Sequence, residues 1–205
     1  MPNLKLCFLL LLVIPATCFA QGKDEEMIEW DSSRQLTWSD YKGRPDSRSD
    51  AAASTTTYLG IEYRMDEGGF SYKIQCRFSI TRSWGRSKTD FILNHEQGHF
   101  DIAEIFARKL NQRMSQYRFN QNTYKTDLKS IYDGITKEKE TFQNQYDSET
   151  DHSRKKEQQL EWLKKIEKML VELESFRGYS GQRWQNKLFH AEDADTRLLL
   201  FKVYS

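Results

Sequence analysis

The sequence predicts an α+β fold in which a small antiparallel β-sheet packs against three long helices. In residues 70–80, apolar and polar residues alternate, as is typical of a half-buried strand. From about residue 87 onward, apolar residues recur at helical spacing in three successive segments. The chain therefore divides into a β-rich N-terminal part and a helical C-terminal part.

Residues 1–20 have the layout of a secretory signal peptide. One lysine precedes an apolar run over residues 6–14, and small residues precede Ala20. The run is shorter than the roughly 20 apolar residues that span a bilayer. We expect cleavage after Ala20 and export to the periplasm or the cell exterior. A lipid anchor at Cys18 is less favoured, because Thr17 precedes it where a small residue is usual.

The exported chain is predicted to form a single domain over residues 21–175, with the sheet in 33–82 and the helices in 87–175. Residues 176–205 form a C-terminal tail or strand of unknown role. Outside the leader, Cys76 is the one cysteine, so the core or a metal must replace disulfides as the source of stability. A formal net charge of +1 implies neither nucleic acid nor an anionic membrane as a partner.

The predicted strands come first along the chain. Residues 54–81 read as an antiparallel hairpin whose turn is Glu67-Gly68-Gly69. Residues 35–38 are a candidate third strand. Ser87 or Thr89 then caps a helix that runs to about residue 117.

Two more helices follow a polar break. The second is predicted over residues 125–146 and the third over 154–176, since Leu and Ile recur on one face of each. The polar segment 146–153 interrupts the pattern between them. We therefore expect a loop there.

The first helix carries His95-Glu96-Gln97-Gly98-His99, the H-E-x-x-H pattern of a zincin-like active-site helix. Positions four apart differ by about 40° around a helix, so the two histidines face the same side. They can bind one Zn²⁺, and Glu96 can act as catalytic base on a water. The pattern also occurs by chance, but two of only four histidines lie here. Gly98 disfavours a helix by about 1 kcal/mol relative to alanine. A close neighbour would explain why glycine stands here, and simple tolerance of the glycine explains it equally well.

This helix does not provide a third ligand. Ile105 stands where the extended metzincin pattern has a histidine. Asp101 and Glu104 lie about 140° to 160° around the helix from the histidine pair. They are interpreted as outer-shell groups, helix-surface charges or partners that orient other helices.

The second helix should return to the level of the histidines. Helices joined by a short break usually pack antiparallel. His95 and His99 precede the break near Gln121 by about 26 and 22 residues. The same numbers of residues after the break lead to about Gln143 and Asp147. The third ligand is therefore expected near residues 146–153.

His152 is the predicted third metal ligand, with Glu149 and Asp147 as alternatives. A surface histidine in a charged loop is the competing interpretation of His152. Tyr146 is a candidate catalytic residue that donates a hydrogen bond to a developing oxyanion. Buried core tyrosines are more common, and His190 is interpreted as structural or exposed.

The motifs "LTWSDYKGRPD", "AAAS", "LNHEQGHFDIAEIFARKL" and "YDSETDH" resemble the bacterial domain of unknown function 922 family, whose members are inferred to be secreted zinc-dependent proteases. The resemblance covers about residues 36–166. It implies His95 and His99 as ligands and Glu96 as base. Ser153 replaces the family's usual glycine. The resemblance also draws attention to Asp101, Glu104, Tyr146, Asp147, Thr150 and His152.

The expected function is that of a secreted zinc metallopeptidase that acts on a peptide or protein and has no transmembrane span after leader removal. A sheet edge near the site is expected to hold an extended substrate. The alternatives are a non-catalytic cell-envelope binding module with a structural zinc, and a zinc amidase that acts on cell-wall peptide. Glu96 favours a hydrolase, because a closed structural site does not need it.

Overall fold

Two antiparallel sheets and three α-helices make up the residues described by the computed structural model, which are 25–66, 69–178 and 195–204. This α+β arrangement confirms the predicted fold class. The predicted leader and His190 lie outside the described residues. Within the described ranges, no helix combines the length and the apolar character needed to cross a membrane.

The main sheet is built around the predicted hairpin. Its strands, in the spatial order β1-β4-β3-β6, are β1 (Met27–Glu29), β4 (Gly69–Ser79), β3 (Thr56–Asp66) and β6 (Asp195–Tyr204). The register runs from Thr57 opposite Phe78 to Asp66 opposite Gly69, which confirms the hairpin. Glu67 and Gly68 of the predicted turn lie outside the described residues. β6 lies in the C-terminal segment whose structure the sequence left open between a tail and a strand, and it pairs with β3.

The prediction of a strand at residues 35–38 is wrong. The Leu36 N–H donates to Gln97 Oε1 of the first helix at 2.8 Å instead of to a neighbouring strand. The Asp40 carboxylate accepts from the Thr37 N–H at 2.8 Å and begins a 3-10 helix over Trp38–Asp40. The side chains of Gln97 and Asp40 therefore accept from the two backbone N–H groups that a sheet would need. β1 supplies the third strand instead.

A second, two-stranded sheet lies beside the hairpin. β2 (Ala53–Ser54) pairs antiparallel with β5 (Trp84–Gly85), and β2 contacts the first helix. The Arg86 side chain donates to the carbonyls of Asp46, Ser49 and Ala51, which braces the loop before β2. The small sheet and Arg86 therefore hold residues 46–54 in place.

The helices are α1 (Asp90–Gln116), α2 (Tyr124–Thr150) and α3 (Lys156–Glu172), and a 3-10 turn at Glu174–Phe176 follows α3. Thr89 Oγ1 accepts from the Ile92 N–H at 3.2 Å and caps α1, as predicted. α2 continues to Thr150, so most of the loop predicted at 146–153 is helical. The chain reverses only after residue 150.

The reversal after α2 uses three consecutive left-handed residues. Asp151, His152 and Ser153 have φ values of 49°, 50° and 70°. The His152 N–H donates back to the Asp147 carbonyl at 2.9 Å, which satisfies an end-of-helix acceptor. Non-glycine residues adopt this conformation at a cost, so the surrounding structure must hold the turn in place.

α1 lies at the centre of the molecule, where it contacts β3 and β4 of the main sheet, β2, α2 and α3. Its apolar side chains are almost fully buried on several faces, including Phe100, Ile102, Ile105 and Phe106. Polar side chains buried on this helix therefore need partners from the elements around it.

Glu104 illustrates this requirement. It accepts from Arg108 Nε at 2.8 Å, and both side chains are 1% exposed. Arg108 also donates to the Leu170 carbonyl and to Glu174 Oε2. Glu104 thus acts through Arg108 to join α1 to the end of α3, one of the three interpretations that the sequence left open.

Gly98 is a point of close approach between α1 and α2. A Cβ atom at this position would lie 2.6 Å from Tyr146 Oη and 3.0 Å from Tyr146 Cζ. Of the two explanations offered by the sequence, a close neighbour is the correct one. Gly134 of α2 differs, because its Cβ would meet only the flexible Arg113 side chain, at 3.4 Å.

We expect Gly98→Ala to lower the free energy of unfolding although alanine favours helices. The Tyr146 ring is fully buried and packed on its other sides, so it cannot yield to the new methyl group. Gly134→Ala is the matched control and should raise stability by about 0.5–1 kcal/mol. Urea unfolding measures both, and a stabilised Gly98→Ala variant would contradict the packing described here.

Candidate metal centre

His95 and His99 face α2 as a buried pair, with ring centroids 4.9 Å apart. His95 Nε2 lies 3.1 Å from Asp147 Oδ1, and His99 Nε2 lies 3.0 Å from the same oxygen. Among the described residues, these three side chains form a group whose donor atoms lie within 4.8 Å of one another. α1 thus contributes two donors and α2 contributes the third.

Gln143 fixes the orientation of His99. Its Nε2 donates to the His99 carbonyl at 3.0 Å, so its Oε1 is the atom that accepts from His99 Nδ1. In a neutral imidazole, Nε2 then carries a lone pair that points at the Asp147 carboxylate. Two acceptors facing each other at 3.0 Å need a cation or a proton between them.

The donor set fits a metal ion. Zinc binds histidine nitrogen and carboxylate oxygen at about 2.0–2.2 Å, so tetrahedral ligand atoms lie about 3.4 Å apart. The observed separations of 3.0 and 3.1 Å to Asp147 need only a small expansion to reach that value. The outer contact from Gln143 to His99 is the kind that orients a metal-binding imidazole.

Electrostatics in the group depend on burial and on the shared carboxylate. Burial lowers the pKa of His95 to about 4. Burial also acts to lower the pKa of His99, but attraction to Asp147 outweighs it and raises that pKa to about 9. Although burial opposes it, the charge on His99 holds the pKa of Asp147 well below its usual range. Protons and a metal ion would therefore compete for this group.

Glu96 lies beside the group with a carboxylate that is almost fully buried. Thr55 Oγ1 donates to Glu96 Oε2 at 2.6 Å, and Tyr41 Oη lies 2.8 Å from Thr55 Oγ1. Burial raises the pKa of Glu96. A carboxylate with a raised pKa next to a metal site is suited to accept and return a proton.

Sequence reasoning missed Thr55 and Tyr41 as parts of the site. They lie in the "AAAST" and "SDY" stretches, far from the helix along the chain, and no spacing rule links them to Glu96. Gln143 was reached by counting along the second helix but was assigned no role. Its position one turn before Asp147 was the available signal.

Tyr146 packs behind the histidines. Its ring stacks on His95 with centroids 4.5 Å apart, and its hydroxyl donates to the His95 carbonyl at 3.2 Å. It is fully buried and does not line the cleft that leads to the group. These contacts do not support the oxyanion role predicted for Tyr146, and they instead hold the His95 ring in place.

His152 does not join the three convergent donors. Its side chain is 63% exposed, and its Nδ1 lies 3.7 Å from Asp147 Oδ1. Because α2 continues to Thr150, Asp147 lies on the helix face toward α1 and His152 lies past the helix end. Asp147, one of the predicted alternatives, therefore occupies the third position. Glu149, the other, is exposed and accepts from Trp162 Nε1 at 2.7 Å.

Asp101 faces away from the group of His95, His99 and Asp147. It accepts from Trp30 Nε1 and from Gln97 Nε2, each at 2.8 Å. Gln97 in turn accepts from the Leu36 N–H. Asp101 therefore fixes the N-terminal segment to α1 and, like Glu104, acts as a partner that orients another element.

A cleft of about 800 Å³ opens over the group of His95, His99 and Asp147. Residues 51–56 form one wall, and Trp84 and Ile92 supply apolar surface. The remaining lining is polar and includes Arg44, Thr81, Arg82, His95, Glu96, His99, Asp147 and His152. The three donors are therefore open to a molecule that enters from this side.

A family model described as "Bacterial protein of unknown function (DUF922)" matches residues 22–153. This range is more than half of the chain, and it contains the hairpin, α1, α2 and the complete group of three donors. No curated protein and no solved structure matches the chain. The chain belongs to the DUF922 family of bacterial proteins of unknown function.

Proposed function

We propose that this protein is a zinc-dependent hydrolase that cleaves peptide bonds. The observation that carries the proposal is the buried Glu96 carboxylate beside three convergent donors at an open cleft. A zinc ion that only stabilises a fold needs four protein ligands and no neighbouring base. Here His95, His99 and Asp147 offer three ligands, which is the number typical of catalytic zinc.

When bound, zinc would act as a Lewis acid that polarises a carbonyl and makes a water acidic enough to attack at neutral pH. Two imidazoles and one carboxylate also suit iron(II). The adjacent base favours hydrolysis over oxidation, because Glu96 supplies the proton transfer that hydrolysis requires.

The protein side chains have separate roles in this proposal. Glu96 takes a proton from the attacking water and returns it to the leaving amine. Gln143 keeps the Nε2 lone pair of His99 directed at the metal position. Tyr146 holds the ring of His95 from behind. Asp147 completes the ligand set from the second helix.

The cleft supports a peptide as substrate. Its wall at residues 51–54 carries the small side chains "AAAS", so an extended chain can approach the β2 backbone closely. Trp84 and Ile92 can contact apolar side chains of the substrate. Export, which residues 1–20 predict, would give the enzyme access to periplasmic or extracellular peptides.

The metal ligands can be tested by removing each candidate third ligand. We expect Asp147→Ala to lose zinc affinity by more than the roughly 10–100-fold that outer-shell partners contribute, because a direct ligand is lost. His152→Ala should keep the wild-type metal content. Elemental analysis for zinc and iron after dialysis, followed by titration against a chromogenic chelator, measures both. Full zinc in Asp147→Ala together with loss in His152→Ala would reverse this assignment.

A separate variant tests the proposed base. Glu96→Gln should retain zinc and lose peptide hydrolysis by about 10²–10⁴-fold, because the amide cannot accept the proton. Mass spectrometry of a peptide library, with cell-wall peptides included, measures cleavage.

The outcomes separate the candidate functions. Zinc-loaded wild type that cleaves only cell-wall peptide would indicate an amidase. Zinc-loaded wild type that cleaves nothing would favour a non-catalytic binding module. Glu96→Gln with undiminished activity would remove Glu96 from the mechanism.

A further inference from the structure

A chain of two hydrogen bonds ends at the Glu96 carboxylate, which lies beside the group of His95, His99 and Asp147. Tyr41 Oη lies 2.8 Å from Thr55 Oγ1, which donates to Glu96 Oε2 at 2.6 Å. We propose that Thr55 and Tyr41 are positioning residues that orient the Glu96 carboxylate for proton transfer. This role rests on the hydrolase function proposed above.

The protons available fix the direction of the chain. An ionised carboxylate can only accept, so Thr55 uses its single hydroxyl proton on Glu96. That proton is then not available to Tyr41, so the Tyr41 hydroxyl must donate to Thr55 Oγ1. Both dipoles therefore point toward the carboxylate, and each bond strengthens the next in a buried setting.

All three members are buried and held by separate elements. Tyr41, Thr55 and Glu96 are 5%, 1% and 5% exposed. The Tyr41 ring packs against Phe78 and Trp38, with centroids 5.1 and 5.0 Å away. Thr55 is the residue between β2 and β3, so strand pairing on both sides limits its movement. The donor is thus fixed before any substrate binds.

The expected consequence concerns kcat more than KM. Thr55 occupies Glu96 Oε2, which leaves Oε1 to accept a proton. Without Thr55 the carboxylate can rotate about its side-chain bonds, and fewer orientations allow proton transfer. Thr55 also lines the cleft, but Thr55→Val keeps the shape of that wall, so KM should change little.

Variants of Thr55 separate positioning from packing. Thr55→Val keeps the shape but removes the hydroxyl, and we expect kcat to fall about 10–100-fold, which is less than the roughly 10²–10⁴-fold that the general base itself contributes. Thr55→Ser restores the hydroxyl and should recover most of kcat. Tyr41→Phe removes only the second bond and should lower kcat by a smaller factor. Zinc content should equal that of wild type in all three.

Two controls match the residue types. Thr57→Val alters a buried threonine of β3 outside the cleft lining, and Tyr72→Phe alters a buried tyrosine whose hydroxyl donates to Asn111. Both should leave kcat unchanged. Unchanged kcat in Thr55→Val, or no recovery in Thr55→Ser, would overturn the positioning role.

A second measurement does not depend on hydrolysis. In proton NMR spectra of zinc-loaded protein, the Thr55 hydroxyl proton should be protected from exchange and shifted downfield by the carboxylate. Glu96→Gln should move it upfield, because a neutral amide is a weaker acceptor. Tyr41→Phe should leave the bond to Glu96 in place. No response to Glu96→Gln would overturn the proposed direction, whereas absent hydrolysis in wild type would overturn the proposed function alone.

Discussion

The burial of α1 among all the other layers is the constraint on which this structure depends. Between His95 and Arg108 almost every residue of this helix is shielded from water, so each polar side chain there must find a protein partner or a bound ion. α1 nevertheless buries His95, Glu96, Gln97, His99, Glu104 and Arg108. The partners that these groups require explain why distant segments of the chain meet at this helix.

Those partners divide into two sets on opposite sides of α1. On one side, Gln97 holds Leu36 and Arg108 holds the end of α3. These bonds are complete within the protein and fix the framework. On the other side, His95 and His99 share one oxygen of Asp147. There the donors converge on a position that a cation would complete, and the cleft gives access to it.

The precision of the second set depends on tight packing of α1 against α2. Gly98 allows the Tyr146 ring to reach the α1 backbone, and that contact brings Asp147 to the histidines. Glu96, which points toward the sheet side, receives its hydrogen bond from Thr55 instead. Two of the three convergent donors and the buried Glu96 carboxylate therefore come from one helix, while their orientation is set by α2 and by Thr55, the residue between β2 and β3.

The α+β class, the hairpin and the shared face of His95 and His99 could be predicted from the sequence, because these features follow from periodicities of two and 3.6 residues. Helix length and the expected antiparallel packing also predict a third donor near residues 146–153, although the sequence predicts a loop there. Which side chain meets His95 and His99 depends on where α2 ends, and the tertiary structure brings Asp147, not His152, into that group. Likewise, Thr55 and Tyr41 meet Glu96 through contacts between residues far apart in sequence, which no local pattern encodes.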